Sequence, residues 1–176
     1  MTTASVMALM LAHGCIDTAS DRDIRKLEAS IKALTLTEPK QHTEEIARLE
    51  EELAQAYEAY ARRVPSDPQA PELLLKAATI YEGNSAMTTK SLDLLNYLLE
   101  QYPSHILVAD VLLKKASILS MTGDMDGAKV TFQHFMTQFP EHERAGDIEQ
   151  ELKYLDQDMT APDDSSSLSA EVGTVE

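Results

Sequence analysis

Apolar residues along the middle of the chain recur at intervals of three and four, which is the period of an amphipathic α-helix. Leu74, Ala77, Ala78 and Tyr81 show this spacing in one stretch. Seven stretches follow the same rule, and the pattern predicts helices over residues 21–35, 41–64, 68–82, 87–102, 105–121, 125–139 and 141–156. The fold class predicted from this pattern is all-α.

A large apolar residue followed by proline ends three of these stretches. The phrases are Val64-Pro65, Tyr102-Pro103 and Phe139-Pro140, so the prolines lie 38 and 37 residues apart. A fixed period between 20 and 50 residues is typical of repeat architectures, in which each unit buries its apolar edge against the next. Because the loops within the units are short, neighbouring helices are expected to pack antiparallel.

Turn and cap residues separate the predicted helices. Asp67-Pro68 predicts a helix start with Asp as the N-cap, and Ser104 is expected to cap the helix over 105–121. Gly83-Asn84 and Gly123-Asp124 are expected to form the turns within two helix pairs.

Residues 104–140 resemble a tetratricopeptide repeat, through Leu112, Ala116, Leu119, Gly123-Asp124, Ala128, Phe132, Phe135 and Pro140. Residues 72–103 resemble a second copy with one extra residue in its turn, through Ala78, Tyr81, Ser91, Leu95, Leu98 and Pro103. The helix that ends at Pro65 resembles half of a degenerate copy, and the helix after Pro140 a terminal cap. The resemblance implies a short right-handed, TPR-like solenoid of antiparallel helix pairs over residues 21–157, acting as a non-catalytic protein–protein interaction module.

The resemblance also implies a concave, partner-binding groove lined by the first helix of each pair. The usual groove positions correspond to Glu72, Leu75, Thr79 and Glu82 in one copy and to Asp110, Leu113, Ser117 and Ser120 in the next. Leu113 and Ser117 replace the Lys and Asn with which chaperone-tail-binding relatives hold a terminal carboxylate, so that activity is not expected. The alternative, in which these eight are ordinary outward-facing residues, stays open at this point.

Charge and cysteine content narrow the function further. With 15 basic and 30 acidic residues the net charge is −15, which disfavours nucleic acid and an anionic membrane surface as partners. A solvated surface explains the excess better than an acidic docking surface for a basic partner. Cys15 is the single cysteine, so neither an internal disulfide nor a cysteine-rich zinc site is expected.

The sequence contains no recognisable catalytic motif. The five histidines form no HExxH pattern, and GxSxG, P-loop and GxGxxG motifs are absent. Glu50, Glu51 and Glu52 point to different sides of one helix, which is typical of a solvated face. Asp124-Met125-Asp126-Gly127 is only a fragment of a calcium loop. We expect neither an enzyme nor a cofactor or metal site.

The first 20 residues carry a separate signal. The apolar run Val6 to Ala12 is followed by Gly14-Cys15 and then by polar residues, which resembles the lipobox of bacterial lipoproteins. His13 and the lack of a basic residue before the run depart from that pattern. The phrases LLEQYPSHILVADVLLKKASI and FMTQFPEHERAGDIEQELKYL resemble repeat-containing envelope lipoproteins of the TolA-binding and outer-membrane-assembly type.

That second resemblance implies a protein anchored to the bacterial cell envelope through a lipid on Cys15, at the outer membrane and facing the periplasm or the surface. The alternative is a soluble cytoplasmic or periplasmic adaptor or co-chaperone without an anchor. Residues 21–64 have heptad-like spacing that fits an oligomerising coiled coil, although packing within the chain is favoured. Residues 158–176 have no basic residue and almost no large apolar side chains, so we expect a disordered acidic tail.

Overall fold

The regular elements of the protein are helical throughout residues 19–37 and 40–158, the parts of the chain that its computed structural model describes. Seven α-helices follow one another: α1 Ala19–Thr37, α2 Thr43–Arg63, α3 Ala70–Glu82, α4 Thr88–Gln101, α5 Val108–Met121, α6 Met125–Gln138 and α7 Ala145–Asp158. A short 3₁₀ turn, Ser85–Met87, precedes α4. The predicted all-α fold is confirmed. The leader is predicted over residues 1–20 and the tail over residues 158–176. Residues 1–18, which include Cys15, and residues 159–176 lie outside the described residues.

Consecutive helices pack against each other along the chain, which makes a short TPR-like solenoid of helix pairs. In the first pair the Tyr57 hydroxyl of α2 contacts Glu28 of α1. In the second pair the Ser91 hydroxyl of α4 donates to the carbonyl of Ala78 on α3 at 2.8 Å. The pairs are α1–α2, α3–α4 and α5–α6, and α7 covers the last. The first pair is therefore more complete than the half copy that the sequence predicts, because α1 supplies its missing helix.

The hydrophobic core forms two clusters that α5 joins. The first cluster lies among α1 to α4 and includes Tyr57, Tyr60 and Tyr81. The second lies among α5 to α7 and includes Phe132 and Phe135. Val111 and Ile118 of α5 belong to the first cluster, while other side chains of α5 belong to the second: Val108, Ala109, Leu112, Leu113 and Ala116. With both of its sides buried, α5 holds the two halves of the solenoid together.

The three proline-containing linkers repeat one hydrogen-bonding pattern. The backbone N–H groups of Val64, Tyr102 and Phe139 close the preceding helix on carbonyls four residues earlier, at 3.0, 2.9 and 2.8 Å. Three residues further on, a polar side chain accepts the N–H of the residue two positions ahead. These contacts are Asp67 Oδ1 to Gln69 at 2.8 Å, His105 Nδ1 to Leu107 at 3.3 Å and His142 Nδ1 to Arg144 at 3.2 Å.

This linker geometry corrects the predicted helix starts. Helix α3 begins at Ala70, with Pro71 in its first turn, and α5 begins at Val108. The Asp67 carboxylate accepts a backbone N–H that lies before the helix, so Asp67 orders the linker and is not an N-cap. Ser104 likewise precedes α5 by several residues. The helix starts were predicted too early in the sequence, because a polar residue beside proline can order a turn as well as it can cap a helix.

The turns within the second and third pairs differ. Gly123 has a φ of 86°, a left-handed conformation that glycine adopts without steric cost, and Asp124 Oδ1 then accepts the N–H of Gly127 at 2.9 Å. Gly83 has an ordinary φ of −62°, and the chain continues through the 3₁₀ turn, where Asn84 Oδ1 accepts the N–H of Ala86 at 3.1 Å. The Asp124 side chain acts as an N-cap for α6.

Candidate functional site

A groove of about 550 Å³ lies among α5, α6, α7 and the end of α3, and we call it the C-terminal groove. Because α5 and α7 lie on either side of α6, side chains from both form its walls. The lining residues are Glu82, Asp110, Leu113, Lys114, Ser117, Ser120, Met121, Phe132, Arg144, Asp147, Ile148 and Glu151.

The floor of the C-terminal groove is apolar. Phe132 of α6 is 6% exposed, Leu113 of α5 is 6% exposed and Ile148 of α7 is 3% exposed. All three belong to the second core cluster, so the groove opens directly onto the core. An open concavity with such a floor can bury an apolar side chain of a partner, and burial of that kind is the main source of binding free energy.

The rim of the C-terminal groove is charged and predominantly acidic. Lys114 Nζ lies 2.5 Å from Glu82 Oε2, so these two charges offset each other. The exposed carboxylates of Asp110, Asp147 and Glu151 form no ion pair with any residue of the described chain. In total, the lining carries four carboxylates and two cations, and the cations are Lys114 and Arg144.

A second concave region, the N-terminal groove, lies between α1 and α3 above α2. It consists of two adjoining depressions of about 330 and 420 Å³, and Leu53 of α2 lines both. The other lining residues are Glu28, Ile31, Lys32, Thr35 and Leu36 of α1, Tyr57 of α2, and Glu72, Leu75, Lys76, Thr79 and Ile80 of α3.

The charges around the N-terminal groove are balanced, two acidic against two basic residues, and both acidic residues are engaged within the protein. Lys76 Nζ lies 3.0 Å from Glu72 Oε1, and Glu28 accepts a hydrogen bond from the Tyr57 hydroxyl. Tyr57 is 4% exposed, and its burial, followed by the bond to Glu28, raises the pKa of its hydroxyl well above the ordinary value. The contact fixes α1 against α2 and leaves a groove whose surface is almost wholly apolar.

The structure divides the eight predicted groove residues between the two grooves. Three line the N-terminal groove: Glu72, Leu75 and Thr79. Five line the C-terminal groove: Glu82, Asp110, Leu113, Ser117 and Ser120. Leu113 is not an ordinary outward-facing residue, because its side chain is buried in the core. The Ser120 hydroxyl is also buried, and it has no hydrogen-bond partner among the described residues. Partner binding by the eight stays a prediction.

Sequence reasoning missed the contributions of α2 and α7 to these grooves. Leu53 and Tyr57 form the floor of the N-terminal groove, and Asp147 and Glu151 form one wall of the C-terminal groove. The repeat period contained the signal for the second omission, because a step of 37 residues from Asp110 leads to Asp147. The last helix was predicted solely as a terminal cap, so the predicted groove positions did not extend to α7.

Other kinds of site find no support in the part of the chain that the structure describes. No three His, Cys, Asp or Glu side chains gather there where a metal ion could bind. His105 and His142 serve the linkers, through their ring nitrogens. Among the helices of residues 19–37 and 40–158, none is both long and apolar enough to cross a membrane.

Part of the chain matches a known protein family. Residues 110–142, which run from Asp110 in α5 through α6 to the His142 linker, match the family described as "Tetratricopeptide repeat". A search of curated proteins finds no match. The matched segment supplies most of one wall and part of the floor of the C-terminal groove. A repeat of this family, within a helical solenoid, suggests a protein–protein interaction module.

Proposed function

We propose that this protein is a non-catalytic docking module that holds a peptide segment or a subunit of a partner protein in its concave face. The observation that carries the proposal is the C-terminal groove, an open concavity with a core-like floor and unpaired carboxylates. The tetratricopeptide match over residues 110–142 supports it, because repeats of this family bind protein partners.

The proposal also includes a lipid anchor on Cys15 and a location at the bacterial cell envelope. Its support is the apolar run Val6 to Ala12, which is followed after His13 by Gly14 and the only cysteine of the chain. Helix α1 begins at Ala19, so three residues separate it from Cys15. An acylated chain would therefore present its first helix close to the lipid surface.

Site-specific photo-crosslinking in cells tests the docking face. Benzoylphenylalanine replaces Ser117 in the C-terminal groove or Thr79 in the N-terminal groove, both of which are exposed. Asp93 and Gln133, exposed residues that line neither groove, are the control positions. We expect discrete crosslinked products from Ser117 and none from the controls. Equal products from all four positions, or none from Ser117, would count against the docking face.

Metabolic labelling with a palmitate analogue tests the anchor separately. We expect label on the wild-type protein, no label on Cys15→Ala, and movement of that variant from the membrane fraction to the soluble fraction. Label that persists in Cys15→Ala would exclude acylation at this residue. An unlabelled wild-type protein would favour the soluble adaptor, with the docking face unaffected.

A further inference from the structure

We infer that the C-terminal groove accepts a basic segment of its partner, with an apolar side chain on the groove floor and Lys or Arg side chains along the rim. The inference rests on the proposed docking function and names the chemistry of the partner. It depends on the groove floor and on the charges of the rim.

The floor requires an apolar contribution from the partner. Phe132, Leu113 and Ile148 come from three different helices and converge on one surface. The volume of about 550 Å³ falls within the range of about 300–1,000 Å³ that is usual for ligand-binding pockets. A leucine or a phenylalanine placed there would extend the core beyond α7, and that contact would supply affinity with little specificity.

The rim determines the sign of the partner's charge. Asp110 of α5 faces the groove from one side, and Asp147 and Glu151 of α7 face it from the other. A partner that covers these carboxylates removes water from them, which costs free energy unless new cations replace the water. An acidic segment would be repelled, and a purely apolar one would leave the carboxylates without partners. A segment with Lys or Arg satisfies both walls.

The two rim cations leave this conclusion unchanged. Lys114 is engaged by Glu82, and Arg144 is one charge against the three free carboxylates. The N-terminal groove provides the contrast within the molecule, since its two acidic residues, Glu28 and Glu72, are held by Tyr57 and Lys76. The excess of negative charge at the C-terminal groove is therefore a local property, in addition to the net charge of the whole chain.

Fluorescence anisotropy with defined peptides tests the inference on the full chain. The probe is a fluorescein-labelled decapeptide with four lysines around two leucines. One companion peptide replaces every Lys with Glu, and another replaces both Leu with Ala. We expect binding of the first peptide, loss of binding with the Glu peptide, weaker binding with the Ala peptide, and affinity that falls as salt is raised.

Two triple variants with the same net charge separate the groove from the general field of the protein. Asp110→Asn, Asp147→Asn and Glu151→Gln neutralise the rim, and we expect affinity to fall by about tenfold or more. The matched control neutralises Asp93, Glu100 and Glu141, exposed residues outside both grooves, and is expected to change affinity by less than about twofold.

Equal weakening by the two triple variants would overturn the inference, because it would show that the field of the whole chain attracts the peptide. Binding of the Glu peptide as tight as that of the Lys peptide would also overturn it. If crosslinks from Ser117 are observed and the Lys peptide does not bind, the partner is not basic, while the docking function stands. Circular dichroism of each variant confirms that its helices are intact.

Discussion

Helices α2 and α6 carry aromatic residues at equivalent positions. At each position the residue of α2 has a ring hydroxyl that the residue of α6 lacks. Counted back from Val64 and Phe139, the positions seven residues earlier are Tyr57 and Phe132, and those four residues earlier are Tyr60 and Phe135. All three phenylalanines of the chain lie between residues 132 and 139. Five of its six tyrosines lie before residue 103.

The hydroxyls connect the N-terminal half of the solenoid. Tyr57 donates to Glu28, Tyr60 Oη donates to Asp67 Oδ2 at 2.6 Å, and Tyr102 Oη donates to the carbonyl of Pro65 at 2.9 Å. Each bond joins two segments: α1 to α2, α2 to its own linker, and one linker to the next. The N-terminal half is therefore held by polar contacts as well as by burial.

Ring contacts alone serve the same positions in the C-terminal half. Phe135 lies 5.7 Å from Phe139 and 5.2 Å from His142 between ring centroids, the latter edge to face. Without hydroxyls, no carboxylate is engaged by these rings. The comparison teaches that one position of the fold can engage a carboxylate or not: Tyr57 holds Glu28 at the N-terminal groove, whereas Phe132 at the C-terminal groove has no hydroxyl to donate.

Removing a central ring of the C-terminal half should have the largest effect. Phe135 is fully buried, and Phe135→Ala is expected to lower the free energy of unfolding by about 3–5 kcal/mol, through lost burial and the cavity left behind. Urea unfolding followed by circular dichroism measures the change. Val130→Ala on the same helix, at a residue 64% exposed, should stay within about 0.5 kcal/mol. A comparable loss in both variants would contradict the assigned core.

The two glycine turns offer the next test, because both follow the first helix of a pair and they differ in conformation. Gly123→Ala forces a side chain into the left-handed region and should cost about 1–2 kcal/mol, although no atom would obstruct the new Cβ. Gly83→Ala has an ordinary φ and should be neutral or slightly stabilising. The midpoints of urea unfolding decide between the two. Equal losses would mean that the turns are alike.

Tyr57→Phe converts one position of α2 into its counterpart in α6. Glu28 is exposed and regains water when the hydroxyl is removed, so the expected loss is about 0.5–1.5 kcal/mol. Hydrogen exchange should accelerate mainly in α1, which that hydroxyl holds. Tyr154→Phe, at a residue 63% exposed, is the matched control and should leave both measurements unchanged. Exchange that accelerates equally in α1 and α7 would contradict a local tether.

Alkaline pH should affect the tyrosine-rich half first. The hydrogen bond to Asp67, together with burial, raises the pKa of Tyr60 to about 12 from the usual value of about 10. Burial also raises the pKa of Tyr81, and more strongly than its contact with Lys90 lowers it. A raised pKa in the folded state means stability that is complete below pH 10 and is lost as the pH rises through 12.

Urea midpoints measured between pH 9 and pH 12 test this expectation. The wild-type midpoint should fall over the range, and Tyr60→Phe should fall less steeply because one coupled hydroxyl is missing. Tyr154→Phe should follow the wild type. A slope unchanged in Tyr60→Phe would show that its hydroxyl does not couple ionisation to folding.

The sequence predicted the helices well, because the apolar periodicity marks their buried faces and the three proline-containing linkers mark where helices end. All seven predicted helices exist, and the pairing follows from their short loops. The starts of α3 and α5 were placed too early, because Asp67 and His105 order turns before the helix begins. Local sequence cannot distinguish a side chain that caps a helix from one that caps a linker.

The groove was less predictable, because its depth depends on how far apart the helices lie. The periodic positions on α3 and α5 do line concave surfaces. The division into two grooves depends on Leu53 and Phe132, residues of intervening helices that hold the floors. The state of each carboxylate was also beyond local sequence, since Glu28 meets Tyr57 across 29 residues of chain.

The repeated linker has a consequence for the length of the array. Each linker closes one helix and orders the start of the next through backbone hydrogen bonds and its own Asp or His. The bond from Tyr102 to the Pro65 carbonyl adds a contact between two linkers. A segment of 37 or 38 residues between equivalent points therefore contains the backbone contacts that its geometry needs. Tandem duplication or deletion of one such segment would change the number of helix pairs, and the backbone contacts within every remaining unit would be preserved.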